Sequence, residues 1–274
     1  MPVNSVNTNS GAYTALQNLN ATNRDLDTVQ SRINTGKKIN NAKDNGAIWA
    51  IAQTQRSEVT ALNTVKESLA RGSSAVDVGL AAGESVSDLL VQMKDKALAA
   101  TDKSLSTASR NALNEDFKAL RDQITTVVTN ATFNGVNMLS STTGFSALAN
   151  SSGTSTRVKG EILSLGGANV TVAAGTTIGT ATLATTALGL VNASIDKVSA
   201  SLARLGTGAK AFETHSTFVS KLSDALENGV GNLVDADLAK ESARLQSLQT
   251  KQQLGVQALS IASQSSSTLL GLFR

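Results

Sequence analysis

The chain offers few residues that could do covalent chemistry. His215 is its only histidine, and it has no cysteine. General-base catalysis needs an imidazole held by an oriented partner network, and a lone His at a helical position has none in its sequence neighbourhood. The absence of cysteine removes thiolate nucleophiles, disulfides and Cys-based metal sites. Leu205-Gly206-Thr207-Gly208-Ala209-Lys210 has a glycine pair ahead of a lysine, as a phosphate loop does. Its spacing is wrong, and it sits inside a helical repeat rather than between strand and helix. Asp235 and Asp237 lie two apart, a spacing at which helical side chains do not face each other, so helix capping is the simpler role. Trp49, the sole tryptophan, has two readings: a ligand platform or, more simply, an anchor in a helix–helix seam. No catalytic, metal-binding or cofactor-binding residue is nominated, no cofactor is implied, and the chain does not read as an enzyme.

What must be positioned is instead a set of apolar stripes. Leu19, Leu26 and Ile33 fall seven apart near the start, with Leu16 and Val29 on the flanks of that face. Near the end, Leu238, Leu245 and Leu259 share one seven-residue phase, while Leu248, Ala262 and Leu269 share the next. One amphipathic helix of about 25 residues is marginal in water without a cover for its stripe. The two ends are expected to pack on each other, or on copies of themselves, as a coiled-coil-like seam. That favours assembly over catalysis.

Between the ends the pattern is mainly helical. A first helix is expected over about 12–33, with Gly36 as its C-cap. Asn34 to Gly46 is polar and turn-prone. A long pattern resumes at Ala47 and runs through Leu62, Leu69, Val76, Leu80, Leu90 and Met93, although Gly72, Gly79 and Gly83 argue against an unbroken helix. Asp102 to Thr107 reads as a turn. Leu113, Phe117, Leu120, Ile124, Val127 and Ala131 mark the next helix, stopped by Asn134-Gly135. From Ser140 to Thr186 the composition shifts to Ser, Thr, Gly and Ala. Alternations such as Val170-Thr171-Val172 suggest one or two hairpins, with disordered low complexity as the alternative. Val191, Ile195, Val198, Leu202, Leu205, Ala209, Phe212, Ser216, Val219 and Leu226 then hold a three-four rhythm, excepting Ser223. A helix over this run would be roughly 54 Å long. Asn228 to Asn232 is expected to break it, with a last helix starting near Asp235 or Asp237.

Composition agrees. Hydrophobic content is 41% but aromatic content only 3%, which suits thin helix-on-helix seams rather than a thick core. The single proline, Pro2, interrupts nothing. A net charge of +3 arises from scattered charges without a basic block, so nucleic acid is not an expected partner. No apolar run approaches the roughly 18 residues of a membrane span, and no basic-then-apolar leader opens the chain. Composition alone would place it in the cytoplasm. The fold class is mainly α, with long antiparallel helices in coiled-coil-like bundles and a small β-hairpin insert.

Several motifs resemble one family. Ser5-Val6-Asn7-Thr8-Asn9 and Ala15-Leu16-Gln17-Asn18-Leu19 look like the opening of bacterial flagellins. Arg32-Ile33-Asn34-Thr35-Gly36-Lys37-Lys38-Ile39-Asn40, followed by Ala42-Lys43-Asp44-Asn45-Gly46-Ala47, resembles that family's R-I-N-S-A-x-D-D-A signature. Phe133-Asn134-Gly135-Val136 is similar to its F-N-G-x element. Leu205-Gly206 with Phe212 resembles its L-G-A-x-x-N-R-F segment, with Lys210-Ala211 in place of Asn-Arg. Gln252-Gln253-Leu254-Gly255, Ala262-Ser263-Gln264 and Leu269 to Arg274 follow its C-terminal ending. The short length is most like the small alphaproteobacterial flagellins of the Caulobacter type.

The resemblance implies a structural subunit that polymerises into the hollow helical flagellar filament for swimming motility. It would be secreted through the flagellar type III export apparatus without a cleaved signal peptide, and would end in an extracellular filament. Residues 1–42 plus 235–274 would form the terminal helical core domain lining the inner shell. Residues 43–234 would form the long-helix domain with its hairpin insert at about 140–186. Subunit-assembly contacts would fall on Leu16, Leu19, Leu26, Val29, Ile33, Leu238, Leu245, Leu248, Leu254, Leu259, Leu269, Leu270, Leu272 and Phe273. Partners would be further copies and paralogous flagellins, a secretion chaperone, and cap and hook-junction proteins, without membrane insertion. Surface O-glycosylation would find hydroxyls at Ser151, Ser152, Thr154, Thr176 and Thr177. The R-E-L element by which an innate immune receptor reads enteric flagellins corresponds here to Lys96-Ala97-Leu98, which lacks the acidic residue. Two alternatives share the helical pattern: a hook–filament junction protein and a soluble coiled-coil adaptor.

Overall fold

The computed structural model describes residues 8–271, with side chains through Gln264. The elements in chain order are α1 (Ser10–Thr35), α2 (Gly46–Ala100), α3 (Thr107–Asn130), β1 (Thr132–Phe133), β2 (Val136–Asn137), β3 (Phe145–Leu148), β4 (Ser155–Val158), α4 (Ala181–Val234) and α5 (Leu238–Gly271). The protein is mainly α, with two small antiparallel hairpins. It divides into two compact units, residues 1–57 with 225–274, and residues 58–224.

In the first unit α1 begins at Asn9, whose side-chain oxygen accepts from the Ala12 amide, and ends at Gly36 in the left-handed region (φ 67°). Only glycine takes that conformation without strain, so the C-cap is set by sequence. The polar stretch after it is ordered by its own side chains. Asp44 Oδ2 accepts from the Asn40 and Asn41 amides, and Asn45 Oδ1 accepts from the Ile48 amide to cap α2. The Asn40 and Asn41 amides hold the exposed Asp44 carboxyl below its ordinary pKa. The Lys38 and Ile39 amides donate to the Val234 carbonyl, and the Ala236 amide donates to that of Gly36, so the two connecting segments satisfy each other's helix ends. Beneath them Ile39, Ala52, Val230 and Val234 form a buried cluster with Ile48, Trp49 and Leu233 packed against it. Trp49 is thus a seam anchor.

In the second unit the apolar spacing produced the expected helices but misplaced two boundaries. α2 is unbroken through Gly72, Gly79 and Gly83. A Cβ at Gly72 would lie 2.9 Å from Phe212, and one at Gly79 2.8 Å from Met138. These are sites of close approach, not helix breaks. Asn228 to Asn232, where the chain of α4 runs on into the first unit, does not interrupt the helix either, which continues to Val234. Asn134-Gly135 does not cap α3. It is the two-residue turn of the β1–β2 hairpin, with φ 48° and 78°, the double positive φ of a type I′ turn. α3 has already ended at Asn130. Arg110 closes the preceding turn by donating from Nε to Ala100 and from Nη2 to the Asp102 carbonyl. α2 and α4 run antiparallel, since Gly72 faces Phe212 and Gly83 faces Leu202.

The Ser/Thr-rich insert is a folded part of this unit. Its hairpin is β3–β4, with Phe145 opposite Val158 and Leu148 opposite Ser155. Val170-Thr171-Val172 is not a strand, and residues 181–186 already belong to α4. Ala147, Leu163, Val170, Val172 and Ile178 are fully buried. Three buried hydrogen-bonding side chains tie the insert to the helices. Ser68 Oγ accepts from the Leu148 amide, Asn114 Oδ1 from the Ile178 amide, and Ser194 Oγ from the Thr171 amide. An unpaired buried amide costs about 1–3 kcal/mol, so each acceptor matters to the fold. The tip of the insert is exposed, while its apolar side is buried against the helices.

The insert's one strong ion pair is Glu161 with Arg204, a bidentate contact at 2.7 Å through both carboxylate oxygens. The guanidinium holds the Glu161 carboxyl below its ordinary pKa, with Ser201 and Asn169 assisting. A depressed folded-state pKa adds stability that is present above the unfolded carboxylate's pKa and lost as pH falls through the folded value. Glu161→Gln is accordingly expected to be less stable than the parent at neutral pH, with the difference closing under acid. Urea midpoints across a pH series check this.

Candidate functional site

The candidate surface is the α1–α5 pair. The two helices run antiparallel in one fixed register: Asn9 Nδ2 donates to the Ala262 carbonyl (2.6 Å), Gln252 Nε2 to Asn23 Oδ1 (2.8 Å), and Arg32 Nη1 to Glu241 Oε1 (3.1 Å). The two terminal helices therefore pack on each other within one chain. Asp237 starts α5, its Oδ1 accepting from the Ala239 and Lys240 amides, in the capping role expected of it.

The apolar residues of this pair fall into two sets. Leu26, Val29 and Leu248 are buried between the helices, with Ile33 and Leu245 packed against them. Leu19 is half-buried beside Gly255, where a Cβ would lie 3.3 Å from its side chain, and Leu259 is half-buried further along. Leu16, Leu238 and Leu254 are exposed, Leu254 by 58%. Tyr13, Val256 and Ile261, outside the expected stripes, are exposed too, Ile261 by 72%. The side chains of Leu269 and Leu270, and all of Leu272 and Phe273, lie outside the described residues. Two helices meeting along one line can bury only one face each, so apolar residues off that line stay uncovered within a single chain. The three missed residues carried a signal of their own, being apolar positions out of phase with the seam.

The ion pair at the top of the seam is incompletely satisfied. Arg32 Nε and Glu241 Oε2 are buried without a hydrogen-bond partner. The pair fixes register more than it stabilises, since desolvation offsets much of its attraction.

The residues weighed for chemistry have structural surroundings. His215 Nε2 lies 2.7 Å from the Ala149 carbonyl, on α4 against the insert. Gly206 and Gly208 are inside α4, and a Cβ at Gly208 would lie 2.4 Å from Val158, so the glycine admits β4. Among the described residues no group of three or more His, Cys, Asp or Glu could hold a metal ion. No described helix is long and apolar enough to cross a membrane. Of the hydroxyl candidates, Ser151, Ser152 and Thr154 are exposed at the β3–β4 tip, whereas Thr176 and Thr177 are half-buried. Thr176 Oγ1 accepts from the Ala173 amide. Lys96 is ion-paired with Asp116, Ala97 is buried and Leu98 is exposed.

Comparison with known proteins fits this architecture. The family profile for the bacterial flagellin N-terminal helical region matches residues 6–143, and that for the C-terminal helical region matches residues 188–273. The stretch between them holds the β3–β4 hairpin. Flagellin FljM of Caulobacter vibrioides is 58% identical over 100% of both chains. A flagellin of Brucella melitensis is 36% identical over 98% of this chain and 99% of its own. Among solved structures, one described as a flagellar hook-associated protein from Vibrio parahaemolyticus matches with a TM-score of 0.55 at 14% identity, covering 70% of this chain and 100% of that one. At that identity the match speaks to fold alone. Two helical-region profiles and full-length relatives at this identity place the chain in the bacterial flagellin family.

Proposed function

We propose that this chain is a filament-forming flagellin whose α1–α5 pair is the subunit–subunit surface. On this reading residues 1–42 with 235–274 are the inner shell of the filament, and residues 43–234 the shell around it. The observation that carries the reading is the uncovered apolar set at Leu16, Leu238, Leu254, Val256 and Ile261 on helices already paired through Leu26, Val29 and Leu248. Large apolar side chains left exposed on a helix pair that already has its own buried seam suit a surface that neighbouring subunits cover. Repetition of the same contact along a helical array makes a filament rather than a closed oligomer. The experiment is addition of purified chain to short filament fragments followed by electron microscopy. Long filaments are expected. A hook–filament junction protein or a coiled-coil adaptor would leave the fragments their original length.

Five Caulobacter vibrioides flagellins resemble this chain, four at 58% and one at 46% identity, which supports co-assembly with paralogous flagellins. Secretion through the type III export apparatus, and contact with a chaperone, the cap and hook-junction proteins, belong to the same proposal, with family membership as their support. The exposed hydroxyls of Ser151, Ser152 and Thr154 are the better-placed glycosylation sites. Protein from native filaments is expected to exceed its sequence mass by whole sugar units, mapped to the 151–154 tip. An unmodified intact mass removes this part.

A further inference from the structure

The sequence holds three Asn-Gly pairs, at 45–46, 134–135 and 228–229, and the fold treats them differently. Asn134 is the one non-glycine residue with positive φ among the described residues. It is exposed at the tip of a hairpin whose strands are two residues long. The Gly135 amide donates no hydrogen bond, and the space a Cβ would occupy at Gly135 is empty within 4 Å. Asn45 is held instead. Its Oδ1 accepts from the Ile48 amide and its carbonyl from the Trp49 amide, fixing it as the cap of α2. Asn228-Gly229 lies inside α4, where the Gly229 amide belongs to the helical ladder.

We infer that Asn134-Gly135 is a site of spontaneous succinimide formation, leaving an aspartate or isoaspartate at position 134. The Gly135 nitrogen, having lost its proton to hydroxide, attacks Asn134 Cγ. The new C–N bond closes a five-membered ring, and the side-chain nitrogen takes a proton and leaves as ammonia. Water then adds to one of the two ring carbonyls and breaks one of its C–N bonds. The sum exchanges an amide and water for a carboxylic acid and ammonia. Ring closure requires the Asn134–Gly135 peptide to rotate out of the turn. A hairpin of two residue pairs opens at little cost, whereas Asn228 must first break an interior helical turn. Each product places a negative charge at the tip. The isoaspartyl product also adds a backbone methylene that the two-residue turn cannot hold. Asn137 Nδ2 donates to the Val128 carbonyl at 2.7 Å and ties β2 to the end of α3, so the change is expected to stay local.

The test is peptide mapping of the folded full chain held at mildly alkaline pH, with isoaspartyl methyltransferase labelling as the probe of the isoaspartyl form. Conversion at Asn134 is expected to run roughly tenfold faster than at Asn228, the ratio set by the local opening each site needs. It should also exceed conversion at Asn45. In denaturant the three rates should converge. Conversion at Asn45 or Asn228 matching that at Asn134 in the folded chain overturns the inference, and so does a ranking that persists unchanged in denaturant.

Discussion

Leu248→Asp is expected to abolish filament growth while leaving the 58–224 unit folded. Leu248 is 6% exposed and packs with Leu26 and Val29 in the α1–α5 seam. A carboxylate there has no cation or donor among its apolar neighbours, and burying it unpaired costs several kcal/mol. That exceeds what a thin seam of three buried residues can absorb, so α5 should leave α1. The surface that both helices build together is then lost. The core of the second unit, with Phe117, Ile124, Leu205 and Phe212 all buried, holds no part of the change. Circular dichroism and limited proteolysis should show the long-helix fragment surviving, while seeded growth stops. Growth at the parental rate with α5 still protease-resistant would mean that the seam is unnecessary.

Gly144→Ala should be the most damaging small change in the second unit. Gly144 has φ +63°, and a Cβ there would lie 2.0 Å from the Val158 carbonyl oxygen and 2.5 Å from the Gly160 nitrogen. The obstacles are backbone atoms of the paired strand and cannot swing aside, so the start of β3 must separate from β4. A loss of about 3 kcal/mol is expected from positive-φ strain and the lost pairing together. Gly206→Ala is the matched control. It is helical with nothing within 4 Å of the added methyl, and should gain about 0.5–1 kcal/mol from reduced chain entropy. Urea unfolding should move the two midpoints in opposite directions. Equal and small shifts would contradict the packing described at the insert.

The helices were legible because apolar spacing survives in any context: Leu62, Leu69 and Val76 lie on the buried side of α2, and Phe117 and Ile124 on that of α3. What was not legible depends on partners distant in sequence. Gly72 and Gly79 read as helix breakers, yet they are helical because Phe212 and Met138 need the space. Ser223 reads as a gap in the α4 stripe but is buried, as are Ser194 and Ser201. Ser194 serves the insert through a hydrogen bond to Thr171 that no local pattern announces. Asn134-Gly135 was rightly marked as punctuation but wrongly assigned, since a helix stop and a type I′ turn use the same residues. On the α1–α5 pair the buried half was legible from heptad phase. The exposed half at Tyr13, Val256 and Ile261 was not, because exposure depends on where the partner helix ends its cover.

On the proposed function, the uncovered apolar residues of the α1–α5 pair join one subunit to the next. The most direct measurement is the rate of seeded filament elongation for a chain carrying Leu254→Ser, Val256→Ser and Ile261→Ser together, compared with its monomer stability. All three side chains are more than half exposed, so their removal should shift the monomer's unfolding by no more than about 0.5 kcal/mol each. The expected result is a monomer with parental helical content and unfolding midpoint that fails to extend seeds. Elongation at the parental rate by that same well-folded monomer would contradict it.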